Sequence, residues 1–317
     1  MKTHLTPFQL FLLTFLYVFS GLSLADADSF LALILPSAVV LLWAVIGYRG
    51  AMKKRAELSD FLSAYMPKKE TAIPLAFFLF TVAAEAVCLL MDAGTILTLE
   101  ADFIPFPLIL AVLVGIACLT ARKGVTVLGR LAELSLFLLV PLFLVHLFGQ
   151  FRPMQMSGEG SGIRLVFSAM PSPVFFLLSM TTVSGDEGTS DGFQSTGNAP
   201  KDRAEFLIKT VIGGAGFAVL VRAFLLMFPF GEYALLVYFL EYMAYAVKLS
   251  LLFSILAHGF RKKNAKYATV FATLMILAAV VTLAVIGGAV FSPFLWMILL
   301  VSLNLTVSTM LGLFALR

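Results

Sequence analysis

Ten apolar stretches, with positive charge confined to alternate loops between them, constrain this 317-residue chain more than any other feature. A helix needs about 20 predominantly apolar residues to cross a hydrocarbon core roughly 30 Å thick. The stretches that qualify are 7–25, 29–48, 71–97, 104–121, 129–149, 164–183, 204–227, 232–257, 267–288 and 291–315. None shows the strict alternation of a barrel strand, so helices are the expected spanning form. With 61% hydrophobic residues, only 13% charged and a mean hydropathy of +1.01, the chain reads as an all-α integral membrane protein. A soluble enzyme is disfavoured, and no nucleophile–base constellation suggests catalysis.

Loop charge predicts the orientation. Lys2, Arg49, Lys53, Lys54, Arg55, Lys68, Lys69, Arg122, Lys123, Arg130, Lys201, Arg203, Lys209, Arg261, Lys262, Lys263, Lys266 and Arg317 fall on one side. Arg152 and Arg164 fall on the other, beside acids such as Asp26, Asp28, Glu100, Asp102 and Glu232. The positive-inside rule then places both termini in the cytoplasm. The net charge of +4 and pI near 9.0 reflect loops beside anionic lipid, with no basic stripe for nucleic acid. Lys2, the apolar run to Phe19 and Ala25-Asp26-Ala27 also permit reading a cleavable signal peptide.

Ten spans divide into five plus five near residue 155, giving one transmembrane domain over 1–317 with pseudo-repeats 1–150 and 151–317. Because five is odd, the halves have opposite topology, the inverted-repeat plan of many secondary transporters. In that plan the first helix of each repeat is broken, and its freed backbone and half-helix dipoles bind the substrate. Span 6 carries Ser168-Ala169-Met170-Pro171-Ser172-Pro173, whose two prolines remove intrahelical donors. A plain proline kink is the competing reading. Span 1 offers only Ser20-Gly21 and Ser23, near its outer end. The hydrophilic stretch 184–203 is a linker or a docking site for a cytoplasmic partner.

Ionisable groups inside spans cost about 2.5–3.5 kcal/mol each on insertion scales. Glu85 and Asp92 are seven residues apart on span 3 and share a face with Cys88. Tyr238, Glu241, Tyr245 and Lys248 form one stripe on span 8. Two readings stand. In the first, Glu85 and Glu241 line a cavity and engage a ligand ammonium or carry a coupled proton. In the second they are structural, with Glu241 paired to Lys248 and Asp92 to Arg222, whose side chain snorkels outward. Arg130 and Glu133 have the i, i+3 spacing of a local ion pair with a structural or gating role. Gly213, Gly214 and Gly216 suit close helix packing. Cys88 and Cys118 read as reduced packing residues. His4, His146 and His258 lack metal-ligand spacing, and no phosphate-binding loop is present, so neither metal nor cofactor is expected.

Residues 121–140, ARKGVTVLGRLAELSLFLLV, resemble the spore-germination permease family, the GerAB-type B subunit of endospore germinant receptors. The resemblance rests on Lys123, Gly124, Val127, Leu128, Arg130 and Glu133. Leu5-Thr6-Pro7-Phe8-Gln9-Leu10 matches the family's approach to helix 1 more loosely, as do Phe228-Pro229 and Glu241. The family belongs to the amino-acid/polyamine/organocation superfamily, with its LeuT-like five-plus-five fold. The resemblance implies an inner spore membrane location, A-type and C-type receptor subunits as partners, and a small germinant, such as an amino acid, held mid-membrane. It implies ligand-binding positions at Glu85, Glu241, Gly21, Ser168 and Ser172, with Arg130, Glu133, Pro171 and Pro173 structural or gating. Because helix 1 belongs to the family's core, the resemblance also weighs against signal cleavage. The chain departs from the family where Gly21 leads almost directly into Ala25-Asp26-Ala27-Asp28, and where Tyr242 stands in place of an Arg after Glu241. A secondary amino-acid transporter coupled to H⁺ or Na⁺ and a ligand-blind scaffold are the alternative functions.

Overall fold

A computed structural model describes residues 5–24, 105–147, 199–226 and 234–259, with shorter stretches inside 76–93 and 270–281. Five long helices stand out: α1 (Pro7–Leu24), α2 (Phe106–Lys123), α3 (Val125–Leu147), α4 (Ala199–Leu226) and α5 (Ala234–Gly259). Shorter apolar helical segments cover Val82–Met91 and Ala272–Val281. Expected spans 29–48, 164–183 and 291–315 lie outside the described residues.

Local sequence explains where the helices begin and end. Thr6 and Gln9 form a reciprocal capping box at the start of α1. The Gln9 N–H donates to Thr6 Oγ1 at 3.2 Å and the Thr6 N–H to Gln9 Oε1 at 3.1 Å. Pro7 takes the first helical position, where a missing N–H costs nothing. Arg122 and Lys123 close α2, where cations complement the helix dipole. Gly124 then turns the chain in a single residue. Its N–H caps Thr120 O at 3.2 Å, and its own carbonyl accepts the N–H of Val127 at 3.1 Å. The turn requires φ 98° and ψ 174°, a region that essentially only glycine enters.

Two boundaries differ from expectation. Helix α3 begins at Val125, four residues before the apolar stretch, because Gly124 starts it directly. Helix α4 begins at Ala199, taking in polar residues assigned above to the linker. Pro200 suits a first helical turn, and an exposed Glu205–Lys209 ion pair of 2.7 Å supports the next turns.

Helix α5 is central. Every residue from Ala244 to Ala257 is buried, as expected of a helix that is apolar all round. It packs against α1, α2 and α3, while α1 also lies along α3 and α4. Within it, Ser250 and Ser254 return their hydroxyls to the carbonyls of Ala246 and Ser250, so neither polar group is stranded. Outer faces are apolar as well: Leu108, Val112 and Leu119 form one exposed stripe on α2, and Phe137 and Leu144 are exposed on α3. Such surfaces suit lipid. The segments Glu205–Leu225 and Val237–Ala257 each have the length and hydropathy to cross a bilayer.

Helix directions follow from side-chain neighbours. Phe11 and Phe15 of α1 both stack on Phe217, at 5.7 and 5.1 Å between centroids, with Phe11 also over Gly213, so α1 and α4 ascend together. Tyr17 meets Lys248 and Ser23 meets Glu241, so α5 descends. These opposed directions agree with the odd and even numbering of the corresponding stretches.

Of the three glycines expected to allow close packing, Gly214 does so most strongly. A Cβ there would lie 2.5 Å from Phe11 O and 3.1 Å from Thr14 Cβ. Gly213 has ordinary contact distances and Gly216 has open space. Gly214→Ala therefore should destabilise by about 1–3 kcal/mol through overpacking. Gly216→Ala should be neutral or stabilise by about 0.4–1 kcal/mol. Unfolding midpoints of the two variants in detergent, compared with the unaltered protein, check this.

Candidate functional site

Four ionisable side chains meet inside the bundle, supplied by α4, α5 and the Val82–Met91 segment. Glu85, Arg222, Glu241 and Lys248 are 3%, 5%, 6% and 2% exposed, so each has surrendered nearly all of its hydration. Lys248 Nζ lies 3.1 Å from Glu85 Oε1 and Arg222 Nη1 lies 3.6 Å from Glu241 Oε1. Charge is thus cancelled in pairs, the condition for tolerating ionised groups at this depth.

Helix α1 contributes hydroxyls to both pairs, although it carries no charge of its own. The Tyr17 hydroxyl donates to Glu85 Oε1 at 3.1 Å, and the face of its ring lies 4.6 Å from Lys248 Nζ. Two turns further on, Ser23 donates to Glu241 Oε1 and accepts from the Tyr245 hydroxyl at 3.1 Å. Lys248 therefore sits between a carboxylate and an aromatic face, two features that attract an ammonium. Among the described residues, Glu85 Oε2 and the Tyr242 hydroxyl are buried with no hydrogen-bond partner.

The pairing differs from the structural scheme drawn from sequence. Lys248 joins Glu85, not Glu241, and Arg222 joins Glu241. Residues 241 and 248 share a stripe but stand about 10 Å apart along their helix axis. A cross-helix partner is closer. Arg222 does not snorkel outward; it is buried and paired. Asp92 and Cys88 lie outside the described residues, as do Ser168, Ser172, Pro171 and Pro173.

Gly21 also departs from expectation. Helix α1 continues through it to Leu24, so no break at Gly21 frees backbone groups for a ligand. The side chains on either side do the joining: Tyr17, which sequence reasoning missed, and Ser23. A tyrosine within an otherwise apolar run was the available signal for the first.

At the other end of α1, Glu133 is engaged across helices. Gln9 Nε2 donates to Glu133 Oε1 at 2.9 Å, and the same glutamine side chain rests on Gly129, where a Cβ would stand 2.7 Å from Gln9 Cδ. The expected local pair with Arg130 does not form among the described residues; Arg130 is exposed. Gln9 thus connects the capping box of α1 to the first turns of α3.

The fold is similar to that of a manganese transporter from Eremococcus coleocola, crystallised in complex with an aromatic bis-isothiourea substituted compound. The TM-score is 0.55 at 14% identity, covering 98% of this chain and 75% of the transporter. No protein-family model matches the sequence, and no curated protein does. At that identity the likeness speaks to fold: the chain is a helical membrane protein with a transporter's architecture.

The pair assignment is testable by double-mutant cycles on unfolding. Glu85 with Lys248 and Glu241 with Arg222 should show coupling of about 0.5–3 kcal/mol, and Glu241 with Lys248 much less. Lys248→Met alone should cost about 3–5 kcal/mol, and adding Glu85→Gln should recover most of that loss.

Proposed function

We propose that this chain is a membrane permease-fold protein that binds a small amino acid inside its bundle, beside the paired charges. The observation that carries this reading is the network itself. Ionisable side chains at full burial, tied by hydroxyls to α1, mark ligand and ion pathways in membrane proteins. The likeness to a transporter supports a bundle built around a cargo site. Manganese, that transporter's cargo, is not taken over into this reading: among the described residues Glu85 and Glu241 each hold a cationic side chain and no group of three His, Cys, Asp or Glu side chains gathers.

The finer reading is the B-type subunit of a germinant receptor in the inner spore membrane, with ten helices, cytoplasmic termini and A-type and C-type partner subunits. Its support is the stretch from Lys123 to Glu133. Gly124 there makes a turn that glycine alone suits, and Glu133 anchors α1 through Gln9. Ligand binding would act by favouring one of two conformations, for which differential affinity is required. A secondary amino-acid transporter coupled to H⁺ is the second reading, favoured by the half-satisfied Glu85 carboxylate.

Thermal unfolding of the purified chain with glycine, alanine or serine tests the shared core of both readings. One of them should raise stability by about 2.7 kcal/mol at a hundred times its Kd. The double variant Glu85→Gln/Lys248→Met should lose that response. No response in a folded sample points to a ligand-blind scaffold. Uptake of the same amino acid into proteoliposomes then separates transport from sensing alone.

A further inference from the structure

Helices α2 and α3 each carry an exposed apolar stripe that runs into an arginine at the turn between them. On α2, Leu108, Val112 and Leu119 lead to Arg122, at spacings that keep to one helical face. On α3, Arg130 opens a stripe that continues through Leu134, Phe137 and Leu144. Arg122, Lys123 and Arg130 are all exposed. The apolar residues nearest them, Leu119, Leu134 and Phe137, are 60%, 53% and 76% exposed. Gly124 keeps the three cations together. Because the turn is one residue long, Arg122 and Lys123 are fixed at the end of α2, and Arg130 stands about 8 Å along α3 from its first residue. An arginine stem can lie along apolar surface while its head returns toward the turn. Glu133, the one acid in the sequence from 105 to 147, is engaged by Gln9 of α1.

We infer that the α2–α3 turn selects anionic phospholipid from the bilayer, with the headgroup phosphate at Arg122, Lys123 and Arg130 and the acyl chains along the stripes beneath them. Two chemistries meet in this surface. A guanidinium matches a phosphate with two parallel N–H···O bonds and gives up its hydration more readily than an ammonium does. The exposed leucines and Phe137 require a hydrocarbon cover, which neither an acidic protein segment nor a free phosphate supplies. A phospholipid brings both in one molecule. The inference concerns the outer face of the bundle and does not depend on the amino-acid reading above.

Tryptophan quenching by brominated lipid tests it on the full chain in nanodiscs. With Trp43→Phe and Trp296→Phe as background, one reporter is introduced at a time. Leu119→Trp and Leu134→Trp each stand one turn from an arginine; Leu108→Trp and Leu144→Trp stand at the far ends of the stripes. Brominated phosphatidylglycerol is compared with brominated phosphatidylcholine carrying the same chains.

Each lysine or arginine near an anionic headgroup contributes a factor of about five. Reporters at 119 and 134 should therefore prefer phosphatidylglycerol by at least about fivefold, falling to about one in Arg122→Gln/Lys123→Gln/Arg130→Gln. The preference should survive Arg122→Lys/Arg130→Lys and be absent at 108 and 144. Reporters at 119 and 134 that neither lipid quenches would mean that protein covers this face. A smaller preference, one as strong at 108 and 144, or one indifferent to the triple variant would mean that lipid lies there without selection by these cations. Each of those results overturns the inference and leaves amino-acid binding intact. Native mass spectrometry of the unaltered chain and the triple variant repeats the comparison without tryptophan substitutions, and equal retention of phosphatidylglycerol by the two overturns it as well.

Discussion

A charge without a partner cannot be kept inside this bundle. Removing one member of a buried pair costs about 3–5 kcal/mol, a large fraction of the 5–15 kcal/mol that holds a typical domain together. Glu85, Arg222, Glu241 and Lys248 meet that constraint by pairing across helices. Lys248 joins the Val82–Met91 segment to α5, Arg222 reaches from α4 to Glu241 of α5, and Tyr17 and Ser23 fasten α1 to both acids. The rest of the packing conforms. Gly214 lets α1 come close enough to α4, and the phenylalanines at 11, 15 and 217 fill the space beside it.

Both ends of α1 are held by polar contacts of different kinds. The C-terminal end is joined to ion pairs at full burial. The N-terminal end is joined by neutral Gln9, which shares its amide between the capping box and Glu133. Helix α1 is thus held at two depths by different neighbours. Gly124 fixes the geometry at the Gln9 end, since α3 must start immediately where α2 stops.

Long apolar runs made the helices legible in the sequence, because burial in lipid demands a continuous span that periodicity and length reveal. The start of α1 was legible too: Thr6-Pro7-Phe8-Gln9 spells its own cap. Pairings were not. The stripe Glu241, Tyr245, Lys248 is real, yet stripe membership says which face a residue occupies and nothing about which neighbour faces it. Arg222 shows the same gap: a cross-helix acid was expected for it, but closeness to a helix end suggested snorkelling, whereas it is buried and within reach of Glu241. Gly21 was misread because its conformational freedom is permitted, not required, and here the helix simply continues through it. Gly213 and Gly216 lie near Gly214 in sequence but face roomier ground.

Cysteine cross-linking with a short bifunctional reagent in native membranes tests the central claim most directly, that α1 is seated on the charge network of α5. In a background freed of Cys88 and Cys118, the pair Ser23→Cys/Tyr245→Cys should be joined by a bifunctional thiol reagent with a spacer about as long as the tyrosine side chain it replaces, because the two native hydroxyls are hydrogen-bonded. Thr14→Cys/Tyr245→Cys should not, since Thr14 lies about 13 Å further down the helix and packs near Gly214. A cross-link from position 14, or none from position 23 in folded protein, would contradict the placement of α1 and with it the site.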